Sequence, residues 1–157
     1  MINFDKVLNN IFVGTCPTGD LDIKRLQQAG FTAVLNLQTD VDFETHNIDW
    51  ITMERFYFHK NISVKRVPII DFNDNDLISN LPTATQTLNH LVEANHRIYV
   101  HCTAGKQRSP STVICYLAWY KKFGLEKSIQ LTLTARNCAP PIGALKTADL
   151  LYQRNPH

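Results

Sequence analysis

No stretch of this chain is apolar for long enough to cross a bilayer. Runs such as Thr112–Ala118 fall far short of the roughly 20 residues a spanning helix requires, and the start, Met1-Ile-Asn-Phe-Asp, lacks the basic opening of a secretory signal. The expectation is a soluble cytoplasmic protein without membrane insertion. Cysteine is scarce and scattered: Cys16, Cys102, Cys115 and Cys138 show no CxxC or metal-ligand spacing, which argues against a zinc site and a disulfide-built scaffold. His46, His59, His90 and His96 are equally dispersed and read as surface or helix-face residues rather than metal ligands. Charge of one sign is lacking too. A formal net charge of +2 gives no footprint for nucleic acid and no polybasic anchor. Repeats, low-complexity tracts and long linkers are missing as well.

What remains is a chain of 157 residues, 44% hydrophobic and 19% charged, a balance that fits one compact domain over residues 1–157 with a single sizeable core. Turn signals divide it into short units of alternating type, which predicts an α/β fold: a central mixed, mostly parallel sheet flanked by helices. Expected strands are Ile11–Gly14, Ala33–Leu37, Val64–Val67 and Ile98–Val100, and a helix from Leu21 to Ala29 is closed by Gly30. A second, aromatic-rich helix covers about Asn47–Lys60, ahead of an acidic loop, Asp71-Phe-Asn-Asp-Asn-Asp. Leu81, Ala84, Leu88, Leu91 and Val92 recur at helical spacing and predict a helix over Leu81–Asn95. The run Ser111–Phe123 is apolar on almost every face, with Pro110 as first helical residue and Lys121, Lys122 and Gly124 as terminators, so it predicts a buried central helix. Helices near Leu125–Arg136 and Gly143–Arg154 complete the list, divided by Pro140 and Pro141.

The informative segment lies between strand Ile98–Val100 and the buried helix: His101-Cys-Thr-Ala-Gly-Lys-Gln-Arg-Ser109-Pro. A short loop here delivers a cysteine and an arginine to a helix N-terminus. Unpaired N–H groups and a partial positive charge of about half a unit suit that place to a phosphate. Arg108 adds a planar bidentate fork. The same field favours the thiolate of Cys102, the nucleophilic form. Gly105 permits a tight turn and Ala104 a small wall, so the amides of the loop, Thr103 to Gln107, can converge on one oxyanion. Ser109 is placed to hydrogen-bond the thiolate when it leaves, and His101 to hold the loop through the backbone.

These residues carry a resemblance. HCTAGKQRS is similar to the HC-x5-R-[ST] signature of the cysteine-dependent protein-tyrosine and dual-specificity phosphatase superfamily. The resemblance implies a dual-specificity-type phosphomonoesterase that uses no cofactor and no metal. Cys102 would attack phosphorus, Arg108 clamp the equatorial oxygens and Ser109 assist breakdown of a phosphocysteine intermediate. It also implies an aspartate general acid about thirty residues before the cysteine, which Asp71 supplies, with Asp74 and Asp76 as fallback candidates that otherwise face solvent. Ile11-Phe-Val-Gly-Thr, Val34-Leu-Asn-Leu-Gln-Thr-Asp, Asp71-Phe72, Arg136-Asn-Cys-Ala-Pro-Pro and Gly143-Ala-Leu look like the plant glucan phosphatases, which implies a phosphorylated glucan as substrate. Where those enzymes place an aliphatic residue and glycine, this chain has Lys106 and Gln107. A basic residue there resembles phosphoinositide and phosphatidylglycerophosphate phosphatases, whose substrates carry more negative charge. A phosphoprotein or phospholipid substrate therefore stays open beside glucan. A phosphate-binding pseudo-phosphatase would need a lost cysteine, arginine or acid, and none is lost.

Of the aromatic residues Phe72, Trp50, Tyr57 and Trp119, only Phe72 is expected to stack on a substrate; the others are expected in the core. Cys16, Cys115 and Cys138 are expected to pack rather than to pair with Cys102, although pairing under oxidation stays open. Lys106 and Gln107 either select substrate or offer only their amides. The protein is expected to act as a monomer.

Overall fold

The computed structural model describes residues 1–155; Pro156 and His157, the last two residues of the expected domain, lie outside the described residues. Five strands, β1 (Phe4–Leu8), β2 (Ile11–Gly14), β3 (Ala33–Asn36), β4 (Ser63–Arg66) and β5 (Ile98–His101), form one sheet in the order β1-β2-β5-β3-β4. β1 pairs antiparallel with β2 and the other neighbours run parallel. The helices are α1 (Asp20–Gln28), α2 (Asp40–Thr45), α3 (Trp50–His59), α4 (Asp74–Glu93), α5 (Arg108–Trp119), α6 (Leu125–Ala135) and α7 (Ile142–Arg154). This is the mixed, mostly parallel sheet flanked by helices that the sequence predicts.

Alternation along each strand divides the core in two. Phe12, Val34 and Tyr99 enter one cluster with Ile23, Leu26, Met53 and Tyr57 from α1 and α3. Val13, Leu35 and Val100 enter the other with Leu81, Leu88, Ile114, Leu117 and Leu145 from α4, α5 and α7. Both faces are covered, as a parallel sheet requires. All twelve residues of α5 are buried, so the helix that opens at the cysteine loop is fixed on every side. Trp119 ends it, stacked on Tyr152 of α7 at 4.2 Å with its Nε1 donating to Asp149.

Most boundaries shift by one to three residues, among them the aromatic-rich helix, which begins at Trp50 rather than Asn47, and the ends of α4 and α5 shift for identifiable reasons. α4 begins at Asp74, about two turns before Leu81, because Asn73 caps it by accepting from the Asp76 amide at 2.9 Å and because Leu77 continues the buried stripe. Pro82 then lies inside the helix, where the sequence pattern marks a beginning. The acidic loop therefore ends at Asn73. α5 begins at Arg108, with Pro110 third rather than first; the first-turn amides have no intrahelical acceptor, so proline is tolerated there. α5 also stops at Trp119, before Lys122 and Gly124 take left-handed backbone, φ 61° and 81°. β1 and α2 are absent from the expected elements.

The end of β2 meets its neighbours without room for a side chain. A Cβ on Gly14 would lie 2.6 Å from the Asn3 carbonyl oxygen and closer still to Tyr99 Oη, which donates to the Thr15 carbonyl. We expect Gly14→Ala to destabilise the protein by about 1–3 kcal/mol, read as a lower urea midpoint at unchanged slope; an unchanged midpoint would show that the strand end yields.

Candidate active site

β5 is the middle strand of the sheet, and the loop 102–107 leaves its C-terminal end for α5, the place where α/β sheets open to ligands. The carbonyls of this loop are tied away from its hollow. His101 Nδ1 donates to the Cys102 carbonyl at 2.8 Å. The Cys16 amide takes the Thr103 carbonyl, the Ala139 amide that of Lys106, and the Ser111 amide that of Gln107. Arg136 donates to the Ala104 and Gly105 carbonyls at 3.2 and 2.7 Å while paired with Asp5 at 3.0 Å. Gly105 (φ 66°) lies against Gly14, whose carbonyl oxygen would sit 2.6 Å from an added Cβ. Once its acceptors are engaged behind it, the loop offers its amides to the hollow, where an anion satisfies them.

Cys102 is buried at the base of a pocket of about 140 Å³, lined also by Asp71, Phe72, Ala104, Lys106, Gln107 and Arg108. Its Sγ lies 3.3 Å from Ser109 Oγ. Arg108, 2% exposed, is held from two sides. Nη1 donates to Asp42 Oδ2 at 2.7 Å and to the Ile69 carbonyl at 2.8 Å. Nη2 faces Asp71 Oδ2 at 3.2 Å and Thr103 Oγ1 at 3.4 Å, and Gln38 in turn donates to that hydroxyl. Nε has no protein partner among the described residues. A buried unpaired donor is costly, and Arg108 is among the residues that line the pocket.

Asp42 is the residue sequence reasoning missed. It sits in six-residue α2, where it also accepts from the Thr39 amide and hydroxyl in a capping box. Burial raises its proton affinity, but the bonds from Arg108 and Thr39 outweigh this and hold the carboxyl below its usual range. The signal was present: Thr39-x-x-Asp42 has the spacing of a capping box. Its contact with Arg108 spans 66 residues and leaves no local trace. Beside it, Phe43 stacks on Trp50 at 5.2 Å, with the Arg66 guanidinium over both rings.

The eleven candidate residues fall into two groups. Asp71, Phe72, Cys102, Ala104, Lys106, Gln107 and Arg108 line one hollow, whereas Thr103, Gly105 and Ser109 support it from outside the lining, Thr103 through Arg108 and Ser109 through Cys102. His101 lies behind it, and Phe72 stands at the mouth. Phe72 is 84% exposed with φ 56°, a conformation that non-glycine residues adopt at a cost, and its amide donates to its own neighbour Asp71 Oδ1. Tyr57 and Trp119 are core, 1% and 2% exposed. Asp74 is exposed, but Asp76 is anchored, its Oδ2 accepting from the Ile70 amide at 2.7 Å. All four cysteines are free; Cys115 is deep in the core and burial pushes its thiol up.

His101 carries no charge at neutral pH. Burial first, and Arg108 beside it, bring its pKa down to about 4 against the opposing bond to the Cys102 carbonyl. The carbonyl can only accept, so Nδ1 holds the proton and Nε2 is buried without a partner.

Residues 11–146 match the family model described as dual specificity phosphatase, catalytic domain. Arabidopsis thaliana phosphoglucan phosphatase LSF1, chloroplastic, is 31% identical over 152 residues, 96% of this chain and 26% of that protein. Castanea sativa phosphoglucan phosphatase DSP4, amyloplastic, is 31% identical over 150 residues, 94% and 40% of the two chains. Mouse laforin is 30% identical over 149 residues, 88% and 45%. The chain thus spans less than half the length of these relatives. Among solved structures, PTPMT1 in complex with PI(5)P superposes with TM-score 0.78 at 16% identity over 96% of this chain and 95% of that one, a likeness of fold.

Two outcomes follow from the site's electrostatics. Asp42→Asn should lower kcat/KM for an aryl phosphate by about 10- to 100-fold, the loss expected when a clamp is misplaced; wild-type kinetics would remove Asp42 as the group that aims Arg108. For His101, the unfolded chain binds a proton below about 6.5 and the folded protein only below about 4. Between those values the unfolded state holds more protons, so stability falls as pH drops through that window. The urea midpoint should decline less from pH 7 to pH 4 in His101→Asn than in wild type, and parallel declines would assign the effect elsewhere.

Proposed function

This chain belongs to the dual specificity phosphatase catalytic-domain family, and we propose that it hydrolyses phosphomonoesters through a phosphocysteine intermediate, with phosphorylated glucan as substrate. The observation that carries the reaction class is the hollow itself: amides freed by outward carbonyls, a buried arginine with an unused Nε, and a cysteine Sγ at the base.

The phosphoryl oxygens occupy the loop amides and the Nε and Nη2 of Arg108, which leaves phosphorus in line with Cys102 Sγ. Sγ forms the S–P bond as the bond to the leaving oxygen breaks, and Asp71 donates the proton that oxygen needs. In the free protein Asp71 is paired with Arg108. An arriving phosphate competes for that guanidinium and frees the Asp71 carboxyl to face the leaving oxygen. Water then attacks phosphorus, Asp71 takes its proton, and Cys102 leaves as thiolate with Ser109 Oγ beside it. His101 holds the loop as a neutral donor.

For the substrate, two relatives named phosphoglucan phosphatases point to phosphoglucan, and one feature of this chain agrees. Phe72 presents a flat apolar face at the rim, suited to the face of a sugar ring. Lys106 supports the second reading, a phospholipid or phosphoprotein, since it lines the pocket, is exposed, and adds positive charge. No described helix is long and apolar enough to cross a membrane.

Phosphate release from solubilised phosphoglucan, a phosphotyrosine peptide and an acidic phospholipid, each set against an aryl phosphate, tests the substrate; faster release from either alternative overturns glucan and leaves the mechanism. Cys102→Ser should abolish turnover on all four. Asp71→Asn should slow alkyl phosphates far more than aryl phosphates, because only a poor leaving group needs the proton, and equal slowing would reject Asp71 as the acid.

A further inference from the structure

The catalytic pocket, about 140 Å³, is smaller than the roughly 300–1,000 Å³ of typical small-molecule sites. It accommodates a phosphoryl group and the first atoms of what carries it, so the remainder of any substrate lies outside. Across Lys106 there is a second, wider hollow of about 370 Å³, which shares Ala104 and Lys106 as walls and is lined further by Asn3, Asp5, Thr15, Arg136 and Asn137. The Lys106 backbone is pinned by the Ala139 amide, and its exposed side chain stands on the ridge between the two.

The floor of this groove is rigid and its charge is spent. Arg136 is 6% exposed and engages the Ala104 and Gly105 carbonyls and Asp5 Oδ2, so its cation is neutralised in place. Apart from Lys106 on the ridge, the groove presents two carboxamides and the paired Asp5. Asn3 uses its backbone amide and carbonyl on Thr15, leaving its side-chain carboxamide, like that of exposed Asn137, without a protein partner among the described residues. Asp5 keeps Oδ1 for a donor. Two carboxamides and a carboxylate oxygen supply donors and acceptors side by side, which is what sugar hydroxyls, each both donor and acceptor, require.

We propose that the groove formed by Asn3, Asp5 and Asn137 binds the neutral sugar units next to the phosphorylated one, so that the substrate chain passes over Lys106 from the catalytic pocket into it. The inference rests on the glucan reading of the same site and adds where the chain runs. It makes the β1 side of the loop a determinant of specificity.

The test uses an unphosphorylated linear glucan oligosaccharide and the whole protein. Titration followed by amide NMR should move the signals of Asn3, Thr15 and Asn137; no movement, or movement confined to the Phe72 side, overturns the proposal. In the double variant Asn3→Ala/Asn137→Ala, the ratio of kcat/KM for phosphoglucan to that for an aryl phosphate should fall about tenfold, the scale of two lost hydrogen bonds, chiefly through KM. An unchanged ratio in an enzyme that prefers phosphoglucan rejects the groove while the substrate stands. Groove signals that move in a protein without that preference keep the groove and reject the substrate.

Discussion

Arg136 reaches from the end of α6 to the back of the cysteine loop, and its bonds to the Ala104 and Gly105 carbonyls are the ones on which the site most depends. A loop of six residues has as many acceptors as donors, and it becomes an anion receptor only if the acceptors are drawn elsewhere. Arg136 accounts for two of them, and the remainder fall to His101 and to amides from three separate segments: the strand end at Cys16, the Ala139 turn and the first turn of α5. Because Asp5 neutralises the guanidinium from β1, the edge strand of the sheet takes part in shaping a pocket it does not line.

The second arginine is constrained by a different logic. Arg108 is buried, and a buried guanidinium requires partners for its charge and its donors. Asp42 and the Ile69 carbonyl satisfy one end and fix the direction of the fork. Asp71 satisfies the other end from a loop that is partly open to solvent, so one contact is permanent and the other exchangeable. That asymmetry lets one side chain serve both as scaffold and as receptor. The strained, exposed Phe72 follows directly from the placement of Asp71, since the turn that brings the carboxylate inward directs the next side chain outward.

The chemistry was legible where the sequence holds it contiguously. His101 through Pro110 lie on one strand-loop-helix unit, so the spacing of cysteine and arginine alone defines their relation, and the apolar run from Ser111 announces the helix behind them. The halves of the core were legible from alternation in short buried strands such as Ala33–Asn36. Asp42 was not, because a six-residue helix shows no period and the arginine it holds lies in another segment. Nor was the role of Arg136, whose acceptors are backbone atoms that no residue type reveals. The start of α4 was misplaced because Pro82 mimics a boundary, although the Asn73 cap and Leu77 mark the true one. β1 was missed because its pattern is mostly half-buried and carries little alternation.

The two tryptophans of the chain report on different parts of this arrangement. Trp119 is sealed between α5 and Tyr152 of α7, whereas Trp50 is only partly covered and stacks on Phe43, the residue after Asp42. Their fluorescence is therefore spatially resolved without labels: quenching by a water-borne agent reaches Trp50, beside the short helix whose Asp42 holds Arg108, well before it reaches Trp119. Loosening at the pocket and melting of the whole domain become two distinguishable optical events.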